Sequence, residues 1–370
     1  MPPAYDVDPY QVLGVRPFIN CCGTRSVQGG SLILPQVLTA MAAAARQFVN
    51  IDELMERAGR RIAELTGAES GIVTAGSAAA IAVATAAALT LGDPARIGLL
   101  PDGQGPRRGV VKLKAHRIAY DQAIRMAGAH IVEIEGEADL AALDPANIAM
   151  IAYVGSLDGA ATIPLEALTE YGRRHGISVL VDAAPLPLRR PDAWLSGGAD
   201  LVVYSGGKLL RGPQPSGLLI GKKRLIDAAW ANASPHHGIG RPMKVGKEEI
   251  IGLLVALEAW FDRDTGAECQ RWQDDIAALS DTIAALPGVT LRSIGPDEGE
   301  DAPVVELNWQ GGPHGAELCR RLQRNTPRVM VDAGSARQGA VRLEVVSLEP
   351  GQARILGECL VAAFRQEEPA

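Results

Sequence analysis

One lysine in this chain stands among glycines directly after an apolar run: Asp200-Leu-Val-Val-Tyr204 leads into Ser205-Gly-Gly-Lys208-Leu-Leu-Arg-Gly-Pro-Gln-Pro-Ser-Gly217. A lysine that leaves a buried strand in a turn without bulky neighbours has the setting of an amine that holds an aldehyde cofactor as a Schiff base. Pyridoxal phosphate is the cofactor this chemistry implies. Gly-Gly-Lys also occurs in surface turns whose lysine is merely solvated, so the surrounding residues decide between the two. Ile177-Ser-Val-Leu-Val-Asp182-Ala-Ala-Pro has the pattern of a short apolar strand that ends in a carboxylate, the geometry of an acid at the carboxyl edge of a parallel sheet. Such an aspartate can keep a pyridine nitrogen protonated and the ring an electron sink. Its other reading is a helix N-cap or turn residue.

A third element precedes both. Ser70-Gly-Ile-Val-Thr74-Ala-Gly76-Ser77-Ala78-Ala is an apolar run, a turn of small residues, and the start of an alanine-rich stretch with strong helix propensity. Backbone N–H groups and the Ser77 hydroxyl at such a helix start favour a phosphate, although small residues at this kind of turn can also serve close packing alone. The turn lacks the Gly-x-x-x-x-Gly-Lys-Ser/Thr pattern of a nucleotide P-loop. Phosphate turn, strand-end acid and lysine, in that order, form a stronger signal than any one of them.

This order resembles the fold-type I family of pyridoxal-phosphate enzymes, and in detail the branch that contains selenocysteine synthase and D-glucosaminate-6-phosphate ammonia-lyase. The resemblance runs from Ile19-Asn-Cys-Cys-Gly-Thr-Arg25 to the C-terminal region. Its most specific parts are Ser205-Gly-Gly-Lys208 with Gly212-Pro-Gln-Pro-Ser-Gly217, and Gly240-Arg241-Pro-Met-Lys244-Val-Gly-Lys247-Glu248. It implies an aspartate-aminotransferase-like α/β fold, with a mostly parallel sheet of the seven-stranded type sandwiched by helices and a smaller C-terminal α+β domain. Lys208 is then the Schiff-base lysine, Asp182 the pyridinium partner, and His116 the residue that stacks on the ring. Gly76, Ser77, Ala78, Ala184, Ser205, Gly240 and Arg241 are the further cofactor contacts. Arg25, Arg342 and Lys244 are candidates for gripping acidic groups of a substrate, since guanidinium and ammonium groups suit such oxygens. Arg241, Lys244 and Lys247 also fit a solvated basic face at a helix start. His116 could equally be a hydrogen-bonded histidine near a helix start.

Composition agrees. Hydrophobic residues make up 47% of the 370 and charged ones 21%, enough for a sizeable core in a large α/β domain with a smaller companion. A net charge of −7 argues against broad nucleic-acid or anionic-membrane binding. The chain also shows no basic N-terminal module with which to grip a tRNA. Cys21, Cys22, Cys269, Cys319 and Cys359 are odd in number and lack metal-type spacing, which speaks against a disulfide framework and for a reducing cytoplasm. No charged start leads into an apolar export segment. Thr74 to Leu91 is nearly free of charge and close to membrane-spanning length, yet its alanine content and Gly-Ser opening fit a helix packed on a sheet better. His236 and His237 are adjacent and no acid or cysteine cluster completes a metal site around them.

Along the chain, Met1 to Pro9 has the character of an arm. Met41, Ala45 and Phe48, then Leu54, Ala58, Ile62 and Leu65, have helical spacing. Strand-like runs at 72–73, 110–113, 131–134, 148–154, 179–181, 201–203 and 217–220 alternate with helical stretches, the pattern of a mostly parallel sheet between helices. Helical patterns around 248–260 and 270–286 and strands near 304–308 and 341–345 follow. The expected division is an N-terminal arm at 1–37, a large cofactor-binding domain at 38–235 and a small domain at 236–370. The expected activity is removal of the α-proton from an amino acid or amino sugar acid by Lys208, followed by β-elimination as in an ammonia-lyase. Racemisation or epimerisation is the alternative outcome; selenium transfer, or cofactor binding without turnover, are lesser ones. The resemblance also implies a homodimer or larger homo-oligomer.

Overall fold

The computed structural model describes residues 8–103, 107–295 and 302–365. Among them the chain forms twelve strands: β1 (Phe18–Cys21), β2 (Ser70–Thr74), β3 (Gly109–Leu113), β4 (His130–Ile134), β5 (Ile148–Val154), β6 (Ser178–Asp182), β7 (Leu201–Ser205), β8 (Gly217–Gly221), β9 (Val289–Ile294), β10 (Val304–Trp309), β11 (Arg328–Val331) and β12 (Ala340–Glu344). They divide between two compact units, one of residues 31–263 and one of residues 1–30 with 264–370.

The larger unit is built on one seven-stranded sheet in the order β2-β8-β7-β6-β5-β3-β4. All neighbouring pairs are parallel except those made by β8, which runs against both β2 and β7. Every residue of β3, β5, β6 and β8 is buried. That is the reason these segments appear in the sequence as continuous apolar runs, as parallel sheets covered on both faces require. The helix Ser77–Thr90 packs on this sheet and buries eleven of its fourteen residues. Alanine serves this helix doubly, by high helix propensity and by bringing the helix axis close to the strands. No helix among the described residues is long and apolar enough to cross a membrane.

The smaller unit holds a three-stranded antiparallel sheet, β12-β10-β9, and the parallel pair β1–β11. Helices Thr265–Ile283 and Gln352–Arg365 pack on each other around a core that includes Leu279, Leu307, Leu343 and Leu356.

The compact units divide the chain differently from the expected domains, at both ends. Residues 236–263 stay with the large unit because the helix Lys247–Asp262 packs on helices Pro35–Ala44 and Ile51–Thr66. The supposed arm at 1–37 divides: Phe18–Cys21 joins the small unit by pairing with Arg328–Val331, and residues 31–37 join the large one. Such long-range pairings leave no local trace in the sequence. The expected arm at Met1–Pro9 lies, up to residue 7, outside the described residues; Pro9–Val12 is a short helix capped by Asp8.

Ala84, in the helix Ser77–Thr90 that packs on the large sheet, is fully buried. Substituting it with leucine is expected to lower stability by roughly 1–3 kcal/mol through overpacking, measured by urea denaturation against wild type.

Candidate active site

The carboxyl ends of the parallel strands gather at one edge of the large sheet, and β8 starts there. Register fixes the neighbours: Thr74, Gly217 and Ser205 lie side by side across β2, β8 and β7, and Val154, Asp182 and Val203 across β5, β6 and β7. Three segments far apart in sequence therefore meet, namely the 74–77 turn, the end of β6 and the lysine turn.

The first segment is a helix start. Gly76 caps the helix Ser77–Thr90 with φ of 85°, a left-handed conformation suited to glycine, and its N–H returns to the Thr74 carbonyl at 2.9 Å. The N–H groups of Ser77, Ala78 and Ala79 open the helix and have no acceptor within it. A side chain on Gly217 would run into the Gly76 backbone. Only a glycine at the start of β8 lets this turn lie directly against it.

The second segment carries the lysine and is tightly pinned. Gly206 N–H donates to the Ser216 carbonyl at 2.9 Å, Gly212 N–H to Gly206 at 2.8 Å, and Arg211 N–H to Lys208 at 3.0 Å. A Cβ on Gly207 would sit 2.5 Å from Gln214 Cα, and one on Gly206 would overlap the Ser216 hydroxyl. From outside, both the N–H and the hydroxyl of Ser31 donate to the Gly207 carbonyl, at 3.0 and 3.1 Å. Arg211 holds a left-handed φ of 52°, unusual for a residue with a side chain, while its carbonyl accepts from Leu34 N–H at 3.1 Å. The glycines are thus dictated by close backbone approach, and the turn leaves Lys208 little freedom except along its own side chain.

Lys208 is half-buried, and burial pushes its amine below the ordinary lysine value of 10.5, with the Asp182 charge acting in the opposite sense. Asp182 is buried at the end of β6. Burial raises its carboxyl above the ordinary 3.8, whereas the Ala184 N–H, donating at 3.1 Å, and the charges of Lys112 and Lys208 lower it. Between Lys208 and Asp182 the interaction is coulombic, with no hydrogen bond.

His116 follows β3 in a short 3-10 turn and is fully buried. Val154 N–H donates to its Nδ1 at 3.1 Å, which leaves Nε2 to donate to the Leu157 carbonyl at 3.0 Å. Val154 is the cross-strand neighbour of Asp182, so the imidazole belongs to the same sheet edge. Burial holds its pKa below the usual 6.5. With both nitrogens engaged, its ring serves as a fixed neutral surface; it packs edge-on to Tyr153 at 4.4 Å between centroids.

Other residues singled out in the sequence lie elsewhere. Gly240 approaches Asn232 and Val83, beyond the first turn of the helix Ser77–Thr90, and Arg241 donates to the Ser234 hydroxyl at 3.2 Å. Lys244 is exposed, and Lys247 pairs with Glu248. His236 lies between the Trp230 carbonyl, at 2.9 Å, and Asp52, at 3.1 Å. Arg25 and Arg342 belong to the smaller unit, where Arg25 meets Asp332 at 2.5 Å and Arg342 meets Glu306 at 3.6 Å. Two residues with a place at this edge escape sequence reasoning. Ser31 pins the lysine turn, and Lys112, buried in β3, bonds Asp121 at 2.5 Å. The lysine inside the apolar run Val110-Val-Lys-Leu was the visible signal for the second; nothing local marks the first.

Comparison with known proteins follows this geometry. Residues 39–337 match the Aminotransferase class-V family. The chain is similar to D-glucosaminate-6-phosphate ammonia lyase of Salmonella typhimurium, 34% identical over 363 residues that cover 92% of this chain and 96% of the relative. It is similar to 5'-C-glycyluridine monooxygenase-decarboxylase of a Streptomyces species, 32% identical over 92% of this chain and 88% of the relative. It is also similar to L-seryl-tRNA(Sec) selenium transferase of Moorella thermoacetica, 26% identical over 95% and 82%. A solved structure of D-glucosaminate-6-phosphate ammonia-lyase superimposes with a TM-score of 0.85 at 29% identity, covering 97% of this chain and 98% of that one.

A carboxyl group whose folded pKa lies above its unfolded value opposes folding where it is charged, and that penalty fades as pH falls through the folded pKa. Burial puts Asp182 in this class. The cofactor-free Asp182→Asn protein is therefore expected to melt no lower than wild type at neutral pH, with the difference shrinking in acid; a clear drop in melting temperature would show instead that the charge stabilises the fold.

Proposed function

The chain belongs to the aminotransferase class-V family of fold-type I pyridoxal-phosphate enzymes, and we propose that within it the protein is a lyase that takes the α-proton from an amino acid or amino sugar acid and expels a β-substituent. The observation that carries this reading is the meeting of Lys208, Asp182 and the open helix start at Ser77 on one sheet edge. These residues fit the cofactor. Backbone donors of Ser77 and Ala78 suit a phosphate, and the buried Asp182 carboxylate suits a protonated ring nitrogen. The lysine turn has no side chain but that of Lys208 where the glycines lie against Ser216 and Gln214.

Pyridoxal phosphate, when bound, supplies an aldehyde and a ring able to accept the electron pair left at the α-carbon. Lys208 would hold the aldehyde through Nζ, and once freed by the substrate amine the same atom would serve as the base for the α-proton. Its depressed pKa favours the neutral amine that both tasks need. Asp182 keeps a proton on the ring nitrogen. His116, neutral and bonded at both nitrogens, offers a ring face without exchanging protons. Loss of a β-hydroxyl as water leaves a product that hydrolyses to a 2-oxo acid and ammonia.

The similarity to the ammonia lyase, over nearly the whole of both chains, supports elimination over racemisation. A second outcome is favoured by the Streptomyces relative, which by its name is a monooxygenase-decarboxylase; uptake of dioxygen with release of carbon dioxide would mark it. Five unpaired cysteines support a reducing cytoplasm. Assembly of several copies is supported by exposed apolar residues of the large unit, Leu38, Phe48 and Val49, and light scattering reads the size directly.

Purified protein supplied with β-hydroxy amino acids and amino sugar acids, with and without a phosphate ester, is expected to release ammonia and a 2-oxo acid in equal amounts. Lys208→Ala is expected to lose about 10²–10⁴-fold or more of that rate. Capture of the aldehyde by the cofactor-free wild type should quicken as pH rises and level off below the 10.5 of an ordinary lysine. Deuterium entering the α-carbon with no ammonia released would replace the lyase by a racemase or epimerase.

A further inference from the structure

We propose that Lys112 is a positioning residue for the candidate cofactor site: its buried ammonium, clamped by Asp121, faces Asp182 along one face of the sheet and holds that carboxylate ionised and in place. Resting on the reading that Asp182 meets a ring nitrogen, the inference concerns a residue with no part in the mechanism above.

Lysine is rarely fully buried unless it is paired. Lys112 is 3% exposed and its partner Asp121 2%. The pair joins the third strand to the helix Asp121–Met126. Asp121 also accepts from Arg117 at 2.5 Å, and Arg117 reaches on to Glu133, the cross-strand neighbour of Lys112 on β4. Such a network exceeds what β3 needs for packing, since an apolar residue at 112 would continue the strand's own pattern and is often as stable as a buried ion pair.

Position explains why the charge is there. Lys112 lies one step beyond the Val111–Ile151 pair, hence beside Ala152, which pairs with Leu180. Side chains alternate across a sheet, so Lys112, Ala152, Leu180 and then Asp182 share one face. A single cavity lined by Lys112, Asp121, Ala152, Val154, Leu180 and Asp182 connects them. Two strand spacings, about 10 Å, separate the β3 and β6 backbones, and between groups as buried as Lys112 and Asp182 a full charge at that range still acts. The field is felt: Lys112 lowers the Asp182 carboxyl against the pull of burial, ahead of Lys208, and it also helps to keep His116 neutral. The groups that face Lys112 are Asp121 and Arg117 from the helix side, Glu133 from β4 and Asp182 from β6, with His116, in the turn after β3, within reach of its charge. Burial pulls the Lys112 pKa below 10.5, and the hydrogen bond and charge of Asp121 work against that pull.

The test uses the full chain reconstituted with pyridoxal phosphate and reads the pH midpoint of its visible absorption band, which responds to charge near the ring and not to fold stability alone. In Lys112→Met the midpoint is expected to rise by about one pH unit, the shift given by removing one positive charge at roughly 10 Å in a partly screened interior. Lys112→Arg should restore it. Because Lys112→Met strands the Asp121 carboxylate and is destabilised on that account, the paired variant K112M/D121N is measured alongside, with its melting temperature as a check on folding, and should show a smaller rise in the same direction, since the Asp121 charge is removed with that of the lysine. A wild-type midpoint in K112M/D121N, or a Lys112→Arg protein that behaves like Lys112→Met, overturns the proposal. A wild-type protein that develops no visible band removes the cofactor reading itself, whereas a normal band that none of the variants shifts removes only the role given to Lys112.

Discussion

Gly217 has no side chain because the backbone of Gly76 occupies its place, and the candidate site depends on that contact. Strand β8 enters the sheet between β2 and β7 and runs against both, so it begins at the edge where they end. Reversal of this one strand places Gly217 at that edge, between the helix start at Ser77 and the lysine turn. Had β8 run parallel, Gly217 would lie at the opposite edge, a strand's full length away from the Gly76 turn, and this contact would be lost. A Cβ at position 217 would push the helix start away from β8, and with it the backbone donors that face the sheet edge.

Much of this was legible in the sequence because the large sheet is buried on both faces. Its strands are written as apolar runs, interrupted within β3 by Lys112 and within β4 by Glu133, and all seven runs appear as strands. The chemistry was legible for a related reason: Asp182 and Lys208 stand just after such runs, where a strand end delivers a side chain to the edge. Pairings across long sequence distance were not legible. Nothing in Phe18-Ile-Asn-Cys21 announces Arg328–Val331 as its partner, and nothing at Ser31 announces the Gly207 carbonyl. The boundary expected between 235 and 236 differs from the division of the compact units for a similar reason, because the helix Lys247–Asp262 returns to the large unit by packing on two helices some two hundred residues earlier.

His116 shows how one residue can satisfy two readings. As a hydrogen-bonded histidine near a helical turn it is fully accounted for, with Val154 donating to one nitrogen and Leu157 accepting from the other. Those same bonds fix the tautomer and the ring plane, which is what a ring that stacks on a flat cofactor requires. Structural satisfaction is thus compatible with the role proposed for it, and the local bonding pattern does not argue against function.

The large sheet holds two lysine–aspartate relationships of opposite kind, and the contrast bears on reactivity. Lys112 and Asp121 are hydrogen-bonded at 2.5 Å and almost fully buried, and each stabilises the charge of the other. Lys208 and Asp182 sense one another only through space, and burial shifts each toward its neutral form. A direct bond between them would favour an ammonium on Lys208, and an ammonium neither attacks a carbonyl nor accepts a proton. Keeping the two apart leaves the amine available, but it also leaves Asp182 without a bonded cation against the cost of its charge in a buried place. The Ala184 N–H and the field of Lys112 meet that cost from the side away from the lysine turn. A closed ion pair behind the strand-end acid thus permits an open one in front of it, and this division of labour is a physical reason for a lysine in the middle of an otherwise apolar strand.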